Sequence, residues 1–345
     1  MAALDAQALP WPVTVAVSGG GDSLALMLLL SRWAKQHGLA LPTVLTVDHG
    51  LQKNSAASAR KVVQWAKVAD LKAHVLEWKG SKPKSDIEAA ARQTRYRLMG
   101  TWCAQHKVRA LYLAHNLEDQ AETFLIRLAR GSSVDGLAAM RDVAPYPVAG
   151  FASLMLVRPL LSLSRSELRE FLDAENQPWL DDPMNSDPRF ARTRIRALWP
   201  DLEKAGLSAA RIAGAAGHLA RVRETLDQMS NTLLTRYCRI EEDYALLHGQ
   251  AFAAAPPELA LRTLSMVLMR ISGAAYRPRF ERLTRLYEAI GQERLGGGRT
   301  LHGCRIGPAP KRQAVFGSGT LLVRLERPRR AAGLENRAAA GRRVP

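Results

Sequence analysis

The stretch VAVSGGGDSLALMLLL, Val15 to Leu30, runs an apolar strand into three glycines and then into an amphipathic, leucine-rich helix. Glycines at such a junction leave bare backbone N–H groups and a helix N-terminus facing one point, which favours an anion. Gly19, Gly20 and Gly21 permit positive φ and close backbone approach. Ser18 and Ser23 add hydroxyl donors, and Asp22 is a candidate Mg²⁺ ligand. The common mononucleotide loop ends in Gly-Lys-Ser/Thr, its Lys reaching the terminal phosphates. Here Asp22 and Ser23 stand where that Lys is expected. A loop that wraps pyrophosphate without such a Lys suits cleavage between the α and β phosphates of ATP, with AMP left on the substrate. The alternative is a glycine-rich turn that holds nothing.

The rest of the first 200 residues continues the alternation. PVTVAV, PTVLTVDHG, KAHVLEW and RALYLAH read as strands. DSLALMLLLSRWAKQHG, SAASARKVVQWAKVADL, DIEAAARQTRYRLMGTWCAQHK and LEDQAETFLIRLARG read as helices. This order predicts an α/β fold, a doubly wound parallel sheet with helices on both faces. Ligands on such sheets bind at the carboxyl ends of the strands. Three strands end there in SGGGDS, VDHG and AHNLEDQAE. Ser164 and Glu167 form a capping box for a further helix, and Pro178, Pro183 and Pro188 mark an irregular segment. From about Leu207 the pattern becomes helical. The expected domains are a catalytic domain over 1–205, a mainly helical domain over 206–320, and a basic tail over 321–345 composed like a disordered segment.

Charge narrows the partner. The 49 Lys and Arg exceed the 32 Asp and Glu, giving +17, which points to nucleic acid before a membrane surface. No run approaches the roughly 18 apolar residues of a membrane span, and MAALDAQALP does not read as a signal peptide. Cys103, Cys238 and Cys304 form no CxxC pair, so a zinc site, an iron–sulfur cluster and a disulfide framework are not expected. A reduced, cytoplasmic protein is.

SGGGDS matches the SGGxDS pattern of the PP-loop ATP pyrophosphatases, which include GMP synthetase, NAD synthetase, the tRNA thiolases and tRNA(Ile)-lysidine synthetase. Four more stretches resemble the last of these: VDHGLQ (47–52), IEAAARQTRY (87–96), AHNLEDQAETFLIRLARGSSVDGLAAM (114–140) and DDPMNSDPRFARTRIR (181–196). A weaker similarity, YRPRFERLTRLYEAI followed by TLHGCRI, lies further on. The resemblance implies an adenine nucleotide alpha hydrolase-like fold that uses ATP and Mg²⁺. It further implies that the wobble cytidine of the isoleucine tRNA with a CAU anticodon is adenylated on O2, and that the ε-amine of free L-lysine then displaces AMP from carbon 2.

On this resemblance Ser18 to Ser23, with Asp48 and His49, form the ATP site; for the last two a simple strand-end turn is the alternative. Arg92 reaches a phosphate or the adenylated intermediate, or is a solvated cation. Asp119 and Glu122, three apart on one helix face, receive the lysine amine, and Asp119 shares Mg²⁺ with Asp22. Their other reading is stabilisation of a helix N-terminus. Arg192, Arg194 and Arg196 resemble a segment that contacts RNA or phosphates, or form a solvated basic face. The chain departs from the family pattern at Glu118 (often Asp), Asn116 (often His), Thr193 (usually Asn) and Asp86 (usually Asn). A PP-loop thiolase and a non-catalytic RNA-binding protein are the competing readings.

Overall fold

The computed structural model describes residues 11–51, 54–80, 82–83, 87–181, 191–274 and 276–326. Gln52, Asp86, Pro183, Pro188 and the tail beyond Glu326 lie outside these. Two compact units divide between Arg223 and Glu224. The expected boundary at Gly206 is instead the turn that ends one helix and precedes the next, with φ +81° at Gly206.

The first unit is built on a six-stranded sheet. Its strands are β1 (Thr14–Ala16), β2 (Thr43–Asp48), β3 (Ala73–Glu77), β4 (Ala110–Tyr112), β5 (Val143–Pro145) and β6 (Met155–Val157), in the order β3-β2-β1-β4-β6-β5. All neighbours pair in parallel except β5 with β6. Between them run α1 (Gly21–Gln36), α2 (Ser55–Val68), α3 (Ile87–Gln105), α4 (Leu117–Ala129) and α5 (Val134–Leu137), followed by α6 (Arg165–Ala174), α7 (Ala191–Ala197) and α8 (Trp199–Lys204).

Period-two alternation assigns each strand residue to one of two cores. Val44, Tyr112 and Val157 face one core with Leu24, Leu26, Met27 and Leu30 of α1, Val62 and Ala66 of α2, and Leu168 and Leu172 of α6. Leu45, Leu111 and Leu156 face the other, with Tyr96, Met99 and Cys103 of α3. Both faces are buried, as a parallel sheet requires. The four large α1 side chains are fully buried, each worth about 1.5–3 kcal/mol against exposure.

The strand order reverses beside β1. The first two connections step to β2 and β3, and the chain then crosses back to place β4 on the other side of β1. The carboxyl ends of β1 and β4 therefore open a crevice, where such sheets bind ligands.

The helix α9 (Ala209–Tyr237) contains the division between the units. The second unit holds β7 (Cys238–Ile240), β8 (Tyr244–His248), α10 (Gly249–Ala254), α11 (Pro257–Ser272), α12 (Phe280–Gly291), β9 (Arg299–Leu301), β10 (Cys304–Pro308) and β11 (Thr320–Leu325). Helices form over 209–237 and 257–272, where the pattern reads as helical, and also over 280–291. A five-stranded antiparallel sheet, order β7-β8-β11-β10-β9, accompanies them. The basic tail expected from Leu321 is corrected by β11, a strand inside that sheet. Its Leu321 and Val323 enter the core while Arg324 stays exposed, so the alternation was hidden by the surrounding arginines.

Candidate active site

The loop after β1 is shaped as its glycines suggest. Gly19 has φ +93°, and a Cβ there would lie 2.8 Å from Leu180 Cδ1. Only glycine meets both demands. Leu180 N–H also donates to Gly19 O at 2.9 Å, so the segment after α6 backs the loop. Gly20 is the N-cap of α1 and offers no side-chain acceptor to the first amides. Ser23 N–H turns back to Gly20 O at 3.1 Å, and the Gly21 and Asp22 amides ahead of it, with the helix dipole, suit an anion. Ser18 and Ser23 hold the loop's shape: Ser23 Oγ donates to Gly20 O at 2.8 Å and accepts from Ser18 N–H at 3.2 Å, with Ser18 Oγ 3.3 Å away.

Across the crevice, Asn116 follows β4 as the N-cap of α4. Its side-chain oxygen accepts from Asp119 N–H at 2.9 Å, and Asp119 Oδ2 accepts from Asn116 N–H at 3.3 Å. The Asn116 amide, freed on its other side, donates to Asp22 Oδ2 at 3.0 Å. One fully buried asparagine thus ties the glycine loop to the acidic helix start. Burial raises the Asp22 carboxyl above its usual value. Arg165, 3.7 Å away, pulls it down, and Asp119 and Glu118 push it up again. A carboxylate strained in this way is stabilised by an incoming cation.

Glu118 accepts from the Arg165 backbone N–H with both oxygens, at 3.0 and 3.1 Å. It pins the start of α6 to α4. Asp119 and Glu122 share one helix face, as their spacing implies, and both are buried. Arg196 grips Glu122 with two bonds, Nε to Oε1 at 2.6 Å and Nη2 to Oε2 at 3.2 Å. Arg192 Nη1 stands 3.7 Å from Asp119 Oδ1. So two of the three α7 arginines turn toward the carboxylates, while Arg194 lies on the exposed side. Glu122 is wholly buried. Removing Arg196 would leave its charge uncompensated, at a cost of about 3–5 kcal/mol.

Asp48 and His49 end β2, beside the glycine loop's strand. Asp48 Oδ1 accepts from Gly50 N–H at 3.0 Å and Ser55 Oγ at 2.6 Å, and His49 Nδ1 accepts from Leu51 N–H at 3.1 Å. Both shape the turn into α2. Arg92 is exposed on α3, with Nη2 donating to Tyr96 Oη at 3.3 Å and the guanidinium 5.2 Å from that ring.

Reasoning from sequence missed several groups here. Asn116 as a bridge and Leu180 as the loop's backing are contacts across the fold, invisible in local pattern. His115 and Arg158, at the carboxyl ends of β4 and β6, were not singled out. Burial, followed by the charges of Arg158, Arg192, Arg92 and Arg95, holds the His115 imidazole well below its usual value. Its one sequence signal is its place in AHNLEDQAE at a strand end.

Among the described residues no group of three or more His, Cys, Asp or Glu side chains is placed to hold a metal. Asp22 and Asp119 nevertheless fit the usual Mg²⁺ arrangement, in which one or two carboxylates share the ion with phosphates. Cys103, Cys238 and Cys304 are free thiols. Burial pushes Cys238 up to about 12, Cys304 up to about 11, and Cys103 upward against a Thr14 hydrogen bond. None is tuned as a nucleophile. Among the described residues no helix is long and apolar enough to cross a membrane.

Comparison with known proteins follows the same lines. A family model described as the PP-loop domain matches residues 6–202. Proteins named tRNA(Ile)-lysidine synthase match most of the chain. That of Wolbachia pipientis wMel is 35% identical over 90% of this chain and 70% of its own. That of Ruegeria pomeroyi is 38% identical over 86% and 71%. That of Methylobacterium nodulans is 38% identical over 92% and 91%.

Proposed function

Because the chain belongs to the tRNA(Ile)-lysidine synthase family of PP-loop proteins, we propose a division of its known chemistry among its own residues. The protein is an ATP-using ligase that forms lysidine in tRNA. The target is the wobble cytidine of the isoleucine tRNA with a CAU anticodon, and free L-lysine is the amine.

In the first step the cytosine O2 attacks the α-phosphorus of ATP, and the α–β bond breaks. The amides of Gly19 to Asp22 and the hydroxyls of Ser18 and Ser23 take the departing pyrophosphate. Asp48 and His49 border the nucleoside, one strand away. Mg²⁺ supplies charge neutralisation at the phosphates when bound, and Asp22 and Asp119 are the carboxylates that would hold it. In the second step the lysine ε-amine attacks carbon 2, the C–O bond to AMP breaks, and the amine's proton passes to a carboxylate. Asp119 faces the crevice and is the group for that ammonium. Glu122 lies beneath it, and lysine shares or exchanges Arg196 there. Arg92 steadies the AMP phosphate. Arg192 and Arg194 are the RNA contacts on α7, with Arg196 acting through Glu122.

The observation that carries this reading is the Asn116 bridge, which brings the pyrophosphate loop and the acidic pair to one crevice. The raised thiols weigh against a thiolase. The enzyme acts in the cytoplasm, where its tRNA is found. Incubation with ATP, labelled lysine and total tRNA should put label into RNA and release AMP and pyrophosphate. ADP as the main tRNA-dependent product would overturn it.

A further inference from the structure

The parallel strands β4 and β6 pair Tyr112 with Val157, and Leu113 N–H donates to Val157 O at 2.8 Å. Arg158 directly follows one strand and His115 closely follows the other. The register puts Leu113 opposite Arg158, so His115 lies two residues further along the same carboxyl edge, on the strand next to the glycine loop's, with Arg158 one strand beyond. Arg158 is only 8% exposed. Its Nη1 donates to Arg141 O at 2.9 Å, but its Nε is buried and has no partner among the described residues. The same is true of His115 Nδ1. Arg92 on α3 and Arg192 on α7 lie near enough that their charges bear on His115. Among the described residues, the one carboxylate contact of these guanidinium groups is Asp119, 3.7 Å from Arg192.

A buried guanidinium with an unpaired N–H is costly, and the cost is recovered where an anion arrives. We propose that Arg158 and His115, walled by Arg92 and Arg192, form a seat for the RNA backbone phosphates beside the target nucleotide. This rests on the reading above and extends it to two residues to which that reading gives no role. With Arg95, which also bears on His115, four arginines stand against one aspartate among the described residues and leave three positive charges. A single substrate carboxylate neutralises one of them, whereas neighbouring backbone phosphates neutralise more than one. The strand order β1-β4-β6 also sets Arg158, one strand further out than His115, off from the glycine loop, which holds the phosphates of ATP.

The test uses the full chain with Arg158→Gln and His115→Gln. Melting curves with and without inorganic phosphate establish folding and report the anion site: phosphate should stabilise the wild type and have less effect on Arg158→Gln. Binding of tRNA is then measured across a salt series, and Michaelis constants for ATP and lysine are taken separately. Arg158→Gln should weaken tRNA about tenfold or more and make the slope of log K against log salt shallower by about 0.7–0.9. His115→Gln should weaken tRNA with the slope unchanged, because a neutral ring releases no counterion; it carries the test alone if Arg158→Gln does not fold. A raised lysine constant with unchanged tRNA affinity would make the pocket a carboxylate seat, and a raised ATP constant would make it a nucleotide site. Either result overturns the proposal, as does a folded variant unchanged in all three. Wild-type protein that binds tRNA with this slope but incorporates no lysine would overturn the functional reading and leave the pocket standing.

Discussion

At Asp22 folding and the role proposed for it pull in opposite directions. Burial raises its pKa above the usual 3.8, so the ionised carboxylate is penalised in the folded state. That penalty is absent below about pH 3.8, sets in as pH rises through the folded value, and is complete at neutral pH. Asp22→Asn should therefore melt at or above the wild type at pH 7, with the advantage fading toward acid, while tRNA-dependent pyrophosphate release is lost. Melting below the wild type at pH 7 would mean that the Arg165 contact outweighs burial. Asp119 tests the second step. Asp119→Asn removes one charge from the position proposed for the amine with little change of shape. Adenylation should survive and the Michaelis constant for lysine should rise about tenfold or more, the effect of one lost charged hydrogen bond. Equal loss in both half-reactions would assign Asp119 to the metal or nucleotide instead.

Elements turn these residues toward each other, and here the sequence was unevenly legible. The glycine loop, the strand–helix alternation and the shared face of Asp119 and Glu122 were all readable, because each is a local pattern with a fixed period. The Ser164–Glu167 capping box was equally readable, and the structure shows both of its bonds. Ser164→Ala should cost about 1 kcal/mol, seen as a lower denaturant midpoint at unchanged slope. Because Glu118 still anchors the first turn of α6, the ATP Michaelis constant should stay near the wild-type value. A large rise would show that the cap also sets the geometry of Arg165 at Asp22. Three things were not legible. The Arg196–Glu122 pair joins elements far apart in sequence, so arginines that read as an RNA face partly serve the acidic helix. Asn116 looked like a departure from pattern, yet it makes the central bridge. The second sheet was hidden in part because two of its five strands have only three residues, too few for an alternation to register.

The whole molecule carries +17, with most of the excess from arginine. A site that buries two carboxylates beneath arginines consumes little of that charge, so the surplus is available to RNA. Binding of tRNA should therefore fall steeply with salt, each phosphate contact contributing about −0.9 for duplex or −0.7 for single strand to the slope. A flat dependence between low and physiological salt, measured by filter binding, would make the charge incidental. The division inside α9, where composition suggests Gly206, has a simple cause. A continuous helix has no turn residues to mark where one core ends and another begins, and only the packing of its two ends separates them.

The backing of Gly19 by Leu180 bears on how the protein is made. The phosphate loop is among the first segments to leave the ribosome, yet its rear wall arrives only when nearly all of the sheet has been synthesised. A nascent chain that stops before Trp179 has the glycines without the contact that sets their curvature. The shape of the loop is thus completed late in translation, at about the moment when α7 can follow.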